Sequence, residues 1–150
     1  MIVGLLLLVV FAISWGGTYV LRRYALSKSL MDVPNERSSH TVPTPRGGGV
    51  AIVISFLLSL PVLNGLGLIA NDVVYGLLGA GALVALVGFV DDHGHVPARW
   101  RLLGHFLSAG WALFWLNGLP PIRILGVDVD LAWGGNILAV IYLVWVLNLY

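Results

Sequence analysis

The segment VVYGLLGAGALVALVGFV, residues 73–90, contains eighteen consecutive residues without a charged side chain. As an α-helix it would be about 27 Å long, close to the roughly 30 Å thickness of the hydrocarbon core of a bilayer. Across the whole chain 59% of residues are hydrophobic and 10% are charged, and the mean hydropathy is +0.94. This composition is too apolar to form the partly polar surface of a soluble domain. The sequence therefore predicts an integral membrane protein.

Four further apolar segments predict an all-α polytopic membrane protein with about five transmembrane helices. The expected spans are residues 2–21, 50–70, 73–90, 102–116 and 137–150. We interpret the first as a retained helix, because no basic residue precedes its apolar run as one would in a signal peptide. Between the last two spans, the segment PPIRILGVDVDLAWGGN, residues 120–136, alternates apolar and polar residues on both sides of Gly126. This period of two predicts a small β-hairpin in an outer loop.

The distribution of basic residues predicts which side of the membrane each loop faces. Of the eight lysine and arginine residues, five lie within residues 22–49 and two within residues 91–101. The positive-inside rule then places both loops in the cytoplasm and the N-terminus outside. The chain has no cysteine, which excludes disulfides and thiolate chemistry.

The first predicted cytoplasmic loop has a composition that suits a phosphate ligand. It contains MDVPNERSSHTVPTPRGGG, residues 31–49, in which Arg37, His40 and Arg46 supply cations and several hydroxyl groups accompany them. The glycine triplet stands immediately before the second span, where unpaired N–H groups and the helix dipole attract anions. The alternative is a basic loop that fixes topology or contacts acidic lipid head groups.

The segment GFVDDHGHVPARWRLL, residues 88–103, places Asp91 and Asp92 at the end of the third span. Negative charge at a helix C-terminus is unfavourable by about 0.3–1 kcal/mol, so a purely structural role explains the pair poorly. Carboxylates repel a phosphate unless a divalent cation lies between them, and Mg²⁺ is held by one or two carboxylates together with substrate phosphates. Together with the basic loop, the pair predicts a site for Mg²⁺ and a diphosphate.

Three further features of the sequence concern metal binding or helix packing. His93 and His95 form a His-x-His pattern that could bind a transition metal, although the chain offers no cysteine and no clear third ligand. We expect His105, inside the fourth span, to be hydrogen-bonded between helices. Small residues in the third span are spaced for close helix packing; they are Gly76, Ala80, Gly81, Ala85 and Gly88.

The segments MDVPNERSSHTVPTPRGGGVAI and GFVDDHGHVPARWRLLGHF resemble motifs of the polyprenyl-phosphate N-acetylhexosamine-1-phosphate transferases, bacterial polytopic enzymes of glycosyl transferase family 4. The similarity covers essentially the whole chain in helix order. The form PTPRGGG is similar to the O-antigen and common-antigen branch, whereas Arg101 and His105 stand where many members have lysine and glutamine. The resemblance implies that residues 1–150 are the N-terminal part of a single integral membrane transferase domain, and that the family's next acidic motif would follow Asn148.

The resemblance implies transfer of N-acetylhexosamine-1-phosphate from a UDP-sugar to undecaprenyl phosphate, with release of UMP, at the cytoplasmic face of the bacterial inner membrane. This reaction initiates O-antigen or related cell-envelope glycan synthesis. The implied cofactor is Mg²⁺, with Mn²⁺ as an alternative, and Asp91 and Asp92 are the implied catalytic residues and metal ligands. The implied substrate-binding residues are Asp32, Asn35, Arg37, His40, Thr44, Arg46, Gly47, Gly48, Arg101 and Asn148. The expected partners are UDP-N-acetylhexosamine, undecaprenyl phosphate and the bilayer. A homodimer is compatible with the resemblance, and no nucleic-acid partner is expected.

Three roles are open for the acidic pair in such a reaction: metal binding, deprotonation of the lipid phosphate, and nucleophilic attack. A phosphomonoester with a second pKa of about 6 is already mostly dianionic at pH 7, so a base has little proton to remove. Charge neutralisation is the larger task, which favours metal binding. Two other functions stay open. One is a divalent metal-ion transporter or channel using DDHGH, although a transport path would place ionisable groups within the spans; the other is a non-catalytic membrane subunit.

Overall fold

A computed structural model of the chain describes residues 2–32, 41–45, 47–94 and 96–149. These residues form five α-helices and two small antiparallel sheets, which confirms the all-α prediction. The helices are α1 Ile2–Ser27, α2 Gly48–Gly65, α3 Asn71–Gly94, α4 Ala98–Trp115 and α5 Ala132–Leu149, and the strands are β1 Met31–Asp32, β2 Thr44–Pro45, β3 Ile122–Ile124 and β4 Val127–Val129.

Four of these helices, α1, α2, α3 and α5, are long and apolar enough to cross a membrane by length and composition. Their surfaces expose large apolar side chains such as Phe11, Leu58 and Trp145, which are suited to lipid and unfavourable in water. The protein is accordingly a multi-pass membrane protein. Helix α4 covers the predicted fourth span except for its last residue and is not one of these four helices.

Helix boundaries differ from the predicted spans where a helix continues beyond its apolar part. Helix α1 extends to Ser27, and α3 extends through the two aspartates to Gly94. The predicted loop of residues 91–101 is therefore reduced to a short connection, because α3 ends at Gly94 and α4 begins at Ala98. Helix α2 ends earlier than predicted, at Gly65, where a left-handed Gly67 (φ +70°) turns the chain.

The chain divides into two compact units, residues 1–59 and 60–150. In the first unit, β1 and β2 form an antiparallel pair that the sequence analysis did not predict, with Asp32 opposite Thr44. Small residues bring α1 close to the beginning of α2, because a Cβ at Gly17 would lie 3.0 Å from the Cβ of Ala51.

In the second unit, α3 packs against α4 and α4 packs against α5. Glycines allow the first contact. Gly76 belongs to the predicted series of small residues and Gly79 does not, whereas a Cβ at Gly88, also in that series, would meet nothing within 4 Å among the described residues. A Cβ at Gly76 would lie 3.3 Å from the Cβ of Trp115, and one at Gly79 would overlap the indole of Trp111. That indole donates a hydrogen bond from Nε1 to the carbonyl oxygen of Tyr75 at 2.9 Å.

The predicted β-hairpin is confirmed. Strands β3 and β4 pair antiparallel, with Ile122 opposite Val129. The two turn residues, Leu125 and Gly126, have φ angles of +50° and +87°, as a type I′ turn requires. The location of the hairpin on the outer side of the membrane stays a prediction.

Candidate functional site

The short connection between α3 and α4 is organised around Asp91. Its Oδ1 accepts a hydrogen bond from the backbone N–H of Val96 at 2.9 Å, and its Oδ2 accepts one from Nη1 of Arg101 at 2.8 Å. Proline at position 97 precedes the first turn of α4 in an extended conformation (φ −53°, ψ 139°). Asp91 therefore fixes both the turn and the direction in which α4 leaves it.

The ion pair between Asp91 and Arg101 is partly shielded from solvent, with side-chain exposures of 28% and 42%. Its positive partner offsets the unfavourable position of Asp91 at the C-terminal end of α3. The Nε of Arg101 is buried and has no hydrogen-bond acceptor among the described residues. A buried donor without an acceptor is costly, so this N–H is suited to an anionic oxygen.

Asp92 has a different environment from its neighbour. Adjacent residues on an α-helix point about 100° apart, so the two carboxylates cannot share one direction. Asp92 is exposed, whereas Asp91 is half-buried against α4. The sequence analysis treated the two aspartates as an equivalent pair, and the structure separates them.

A second polar contact joins α4 to α5 one turn further along α4. The buried ring of His105 lies with its Nδ1 2.9 Å from Nδ2 of Asn148, and the same Nδ2 donates to the carbonyl oxygen of Val144 at 2.7 Å. The expected interhelical hydrogen bond of His105 is thus confirmed. Asn148, expected to bind substrate, lies exposed at the end of α5.

In the first unit, the structure places some of the expected phosphate-binding residues together. Asp32 and Thr44 are opposite each other in the sheet that closes the loop at its base. Gly47 adopts φ +85° and precedes α2, and a Cβ at Gly48 would meet nothing within 4 Å among the described residues. Gly48 and Gly49 therefore form the beginning of α2, with no described residue close to the position that a Cβ would take. The remaining expected residues of this loop lie outside the described part of the chain, as does the side chain of Asp32; they are Asn35, Arg37, His40 and Arg46.

The predicted metal ligands form no group of three or more His, Cys, Asp or Glu side chains within residues 2–32, 41–45, 47–94 and 96–149. The side chain of His93 and the whole of His95 lie outside the described residues, so the His-x-His alternative stays a prediction. The exposed carboxylate of Asp92 fits Mg²⁺, because this ion accepts one or two carboxylates and completes its shell with substrate phosphates and water.

A groove of about 660 Å³, not predicted from the sequence, lies between α4 and α5 at the opposite end of these helices from Arg101. Phe106 and Phe114 line it from α4, Ile137 and Ile141 line it from α5, and Asn117 and Asn136 contribute polar side chains to its lining. The Oδ1 of Asn136 accepts the backbone N–H of Leu119 at 2.7 Å. A single amide directly before an apolar span was the sequence signal for this contact.

The chain is similar in sequence to several known proteins. The sequence profile described as glycosyl transferase family 4 matches residues 74–150. Decaprenyl-phosphate N-acetylglucosaminephosphotransferase from Mycobacterium leprae (strain TN) is 31% identical over 81 residues, which cover 51% of this chain and 20% of the relative. The proteins of the same name from Mycobacterium tuberculosis (strain ATCC 25618 / H37Rv) and Mycolicibacterium smegmatis (strain ATCC 700084 / mc(2)155) are each 28% identical, over 102 and 104 residues.

These last two alignments cover 65% and 66% of this chain, and 25% and 24% of the respective relatives. The chain thus spans about a quarter of the length of the curated relatives it matches. No solved structure matches the chain.

Proposed function

Because the chain belongs to glycosyl transferase family 4, we propose that it forms part of an enzyme that transfers a sugar phosphate to a polyprenyl phosphate in a membrane. The relatives are named for decaprenyl phosphate and N-acetylglucosamine phosphate, which supports an acceptor and a donor of these two classes. In detail, we propose that N-acetylhexosamine-1-phosphate passes from a UDP-sugar to undecaprenyl phosphate and that UMP leaves.

The observation that carries this proposal is the arrangement of charges at the end of α3. Arg101 is held by Asp91 and has a buried Nε–H without an acceptor among the residues described. Asp92, the next residue after Asp91, is exposed. Phosphoryl transfer needs little covalent chemistry from the protein, so catalysis consists mainly of positioning and electrostatic stabilisation. The fixed guanidinium of Arg101 and the exposed carboxylate of Asp92 supply groups for this positioning and for this electrostatic stabilisation.

We assign different tasks to the two aspartates. Asp91 orients Arg101 so that its guanidinium can bind a phosphate oxygen of the donor. Asp92 would hold Mg²⁺ together with substrate phosphates, and the ion would supply neutralisation of the negative charge on the reactants. The backbone N–H groups at the beginning of α2 add a further anion-binding element in the first unit.

The location and pathway follow from the same proposal. The basic residues flanking the spans support a location of the connection between α3 and α4 at the cytoplasmic face, and we propose a bacterial inner membrane. There a water-soluble nucleotide sugar and a membrane-bound polyprenyl phosphate could both reach Arg101. The glycine-rich PTPRGGG segment favours the initiation of O-antigen or a related envelope glycan.

The metal-ion transporter is the weaker alternative. A transport path requires ionisable groups at membrane depth. In α3 the acidic residues are Asp72 in the first turn and Asp91 and Asp92 in the last, which places them at the two ends of this span. The family assignment also favours catalysis over a non-catalytic subunit.

The proposed reaction is tested by following the donor phosphorus atom that is next to the sugar. The intact protein would be incubated with undecaprenyl phosphate and a panel of UDP-N-acetylhexosamines labelled on the phosphorus next to the sugar. Transfer of sugar phosphate moves the label into the lipid and releases UMP. Release of UDP, with the label left in the nucleotide, would refute the proposal, as would a rate independent of the lipid phosphate.

A further inference from the structure

The side-chain amide of Asn148 has both of its N–H groups directed into the protein. The amide nitrogen Nδ2 lies 2.7 Å from the carbonyl oxygen of Val144 and 2.9 Å from Nδ1 of His105, so each of its two N–H groups has a partner there. Rotating the amide by 180° would place Oδ1 against the Val144 carbonyl, so that two acceptors would face each other. The Val144 contact therefore fixes which end of the amide is nitrogen.

This orientation also fixes the tautomer of His105. Because the amide nitrogen is a donor and never an acceptor, Nδ1 must be the acceptor in this contact. The ring proton then resides on Nε2. The ring is buried on α4, so packing fixes the position of its Nδ1, and this contact determines how the Asn148 amide is oriented.

The remaining polar atom of Asn148 is Oδ1. Within residues 2–32, 41–45, 47–94 and 96–149, it receives no hydrogen bond from another residue. An amide oxygen accepts a hydrogen bond from a hydroxyl or N–H group and can also contact a hard cation. It has no proton to offer to a phosphate oxygen.

We infer that His105 is a positioning residue that orients Asn148 so that the amide presents its oxygen to an electropositive group of the ligand. That group is either a hydrogen-bond donor on the sugar nucleotide or the metal ion. This inference rests on the proposed function, and it excludes Asn148 as a donor to the phosphate of the polyprenyl acceptor. The buried ring of His105 and the two partners of the Asn148 amide nitrogen are its structural supports.

The hydrogen bond itself can be tested without measuring activity. In the intact protein, labelled with ¹⁵N-histidine and reconstituted in bilayers, solid-state NMR should show an unprotonated Nδ1 and a protonated Nε2 for His105. The signal is assigned from its loss in His105→Asn. The Asn148→Ala variant should shift the Nδ1 resonance, whereas Asn71→Ala, at the exposed beginning of α3, should leave it unchanged. A protonated Nδ1 in the wild-type protein would overturn the inference.

Activity then tests the consequence. Asparagine at position 105 keeps an acceptor near the place of Nδ1, whereas leucine removes it. His105→Leu should raise the KM for the UDP-sugar or the Mg²⁺ requirement by up to about tenfold, and His105→Asn should stay within about twofold of the wild type. Which of the two constants rises distinguishes a nucleotide-sugar contact from a metal contact.

Two results of the activity arm would refute the inference: equal loss in both variants, or a change confined to the KM for undecaprenyl phosphate. A wild-type protein without any transfer would instead refute the proposed function. In that case the NMR measurement still decides whether His105 orients Asn148.

Discussion

At the scale of single residues, the value of the contact between Asp91 and Arg101 can be measured against a matched pair in the same chain. Arg123 and Asp128 also carry opposite charges, but their nearest charged atoms are 3.8 Å apart and their side chains are 75% and 67% exposed. Exposed ion pairs of this kind contribute about 0–1 kcal/mol. The shorter, partly buried pair between α3 and α4 should contribute more.

A double-mutant cycle with Asp91→Asn and Arg101→Gln should give a coupling energy of about 1 kcal/mol in the free energy of unfolding. The same cycle on Arg123→Gln and Asp128→Asn should give less than about 0.5 kcal/mol. Denaturant unfolding of the protein in detergent micelles provides both values. Equal coupling energies for the two pairs would show that Asp91 does not fix the connection between α3 and α4.

The sequence identified these residues but not the contacts between them. Asp91 and Arg101 were both selected from one motif, yet their ion pair depends on the short connection between α3 and α4, where the sequence predicted a longer loop. The hydrogen bond between His105 and Asn148 joins residues 43 positions apart. Spacing along the chain cannot predict such a contact, because it depends on how α5 packs against α4.

At the scale of helices, glycine determines how closely α3 and α4 approach. The Gly79→Ala variant would place a methyl group into the indole of Trp111, whereas a Cβ at Gly88, on the same helix, would meet nothing within 4 Å among the described residues. We expect Gly79→Ala to destabilise the protein by about 1–3 kcal/mol, since overpacking shifts side chains and backbone.

Gly88→Ala is the control and should leave the free energy of unfolding unchanged or raise it, because alanine favours a helix over glycine by about 1 kcal/mol. Thermal or denaturant unfolding in the same detergent compares the two variants. If both had the same stability, the close contact between α3 and α4 would not depend on Gly79.

Secondary structure was predictable where a single periodicity controls it. The alternation on both sides of Gly126 predicted β3 and β4, and apolar length predicted the positions of the helices. The helix ends were not predictable in the same way, because hydropathy detects lipid contact and α1 and α3 continue as helices beyond it. The pairing of β1 with β2 was missed because two residues per strand are too few for a period.

At the scale of the whole molecule, the orientation in the membrane is the next testable consequence. The sequence has no cysteine, so single cysteines can be introduced without background labelling from this chain. Asn71 is exposed at the beginning of α3, and Ala98 is exposed at the beginning of α4, just after α3 ends. Leu125 is exposed at the tip of the hairpin. We expect an impermeant reagent to label Asn71→Cys and Leu125→Cys from outside the cell and Ala98→Cys only after the membrane is opened.

Labelling of Ala98→Cys from outside would place the connection between α3 and α4 on the outer surface. The proposed cytoplasmic site would then be wrong, although the fold would stand. Labelling of Leu125→Cys and Asn71→Cys from opposite sides would instead show that α4 does not cross the membrane.

The most direct test of the central proposal is the turnover of the intact enzyme carrying Asp92→Asn, compared with Asp91→Asn across a Mg²⁺ titration. Asparagine retains the size of the side chain, so both variants should fold. If Asp92 holds the metal ion, Asp92→Asn should raise the Mg²⁺ requirement and reduce turnover by about 10²–10³-fold, as loss of a preorganised electrostatic group does. Asp91→Asn should mainly weaken donor binding through Arg101. Near-normal turnover of Asp92→Asn at limiting Mg²⁺ would contradict the assignment of this site.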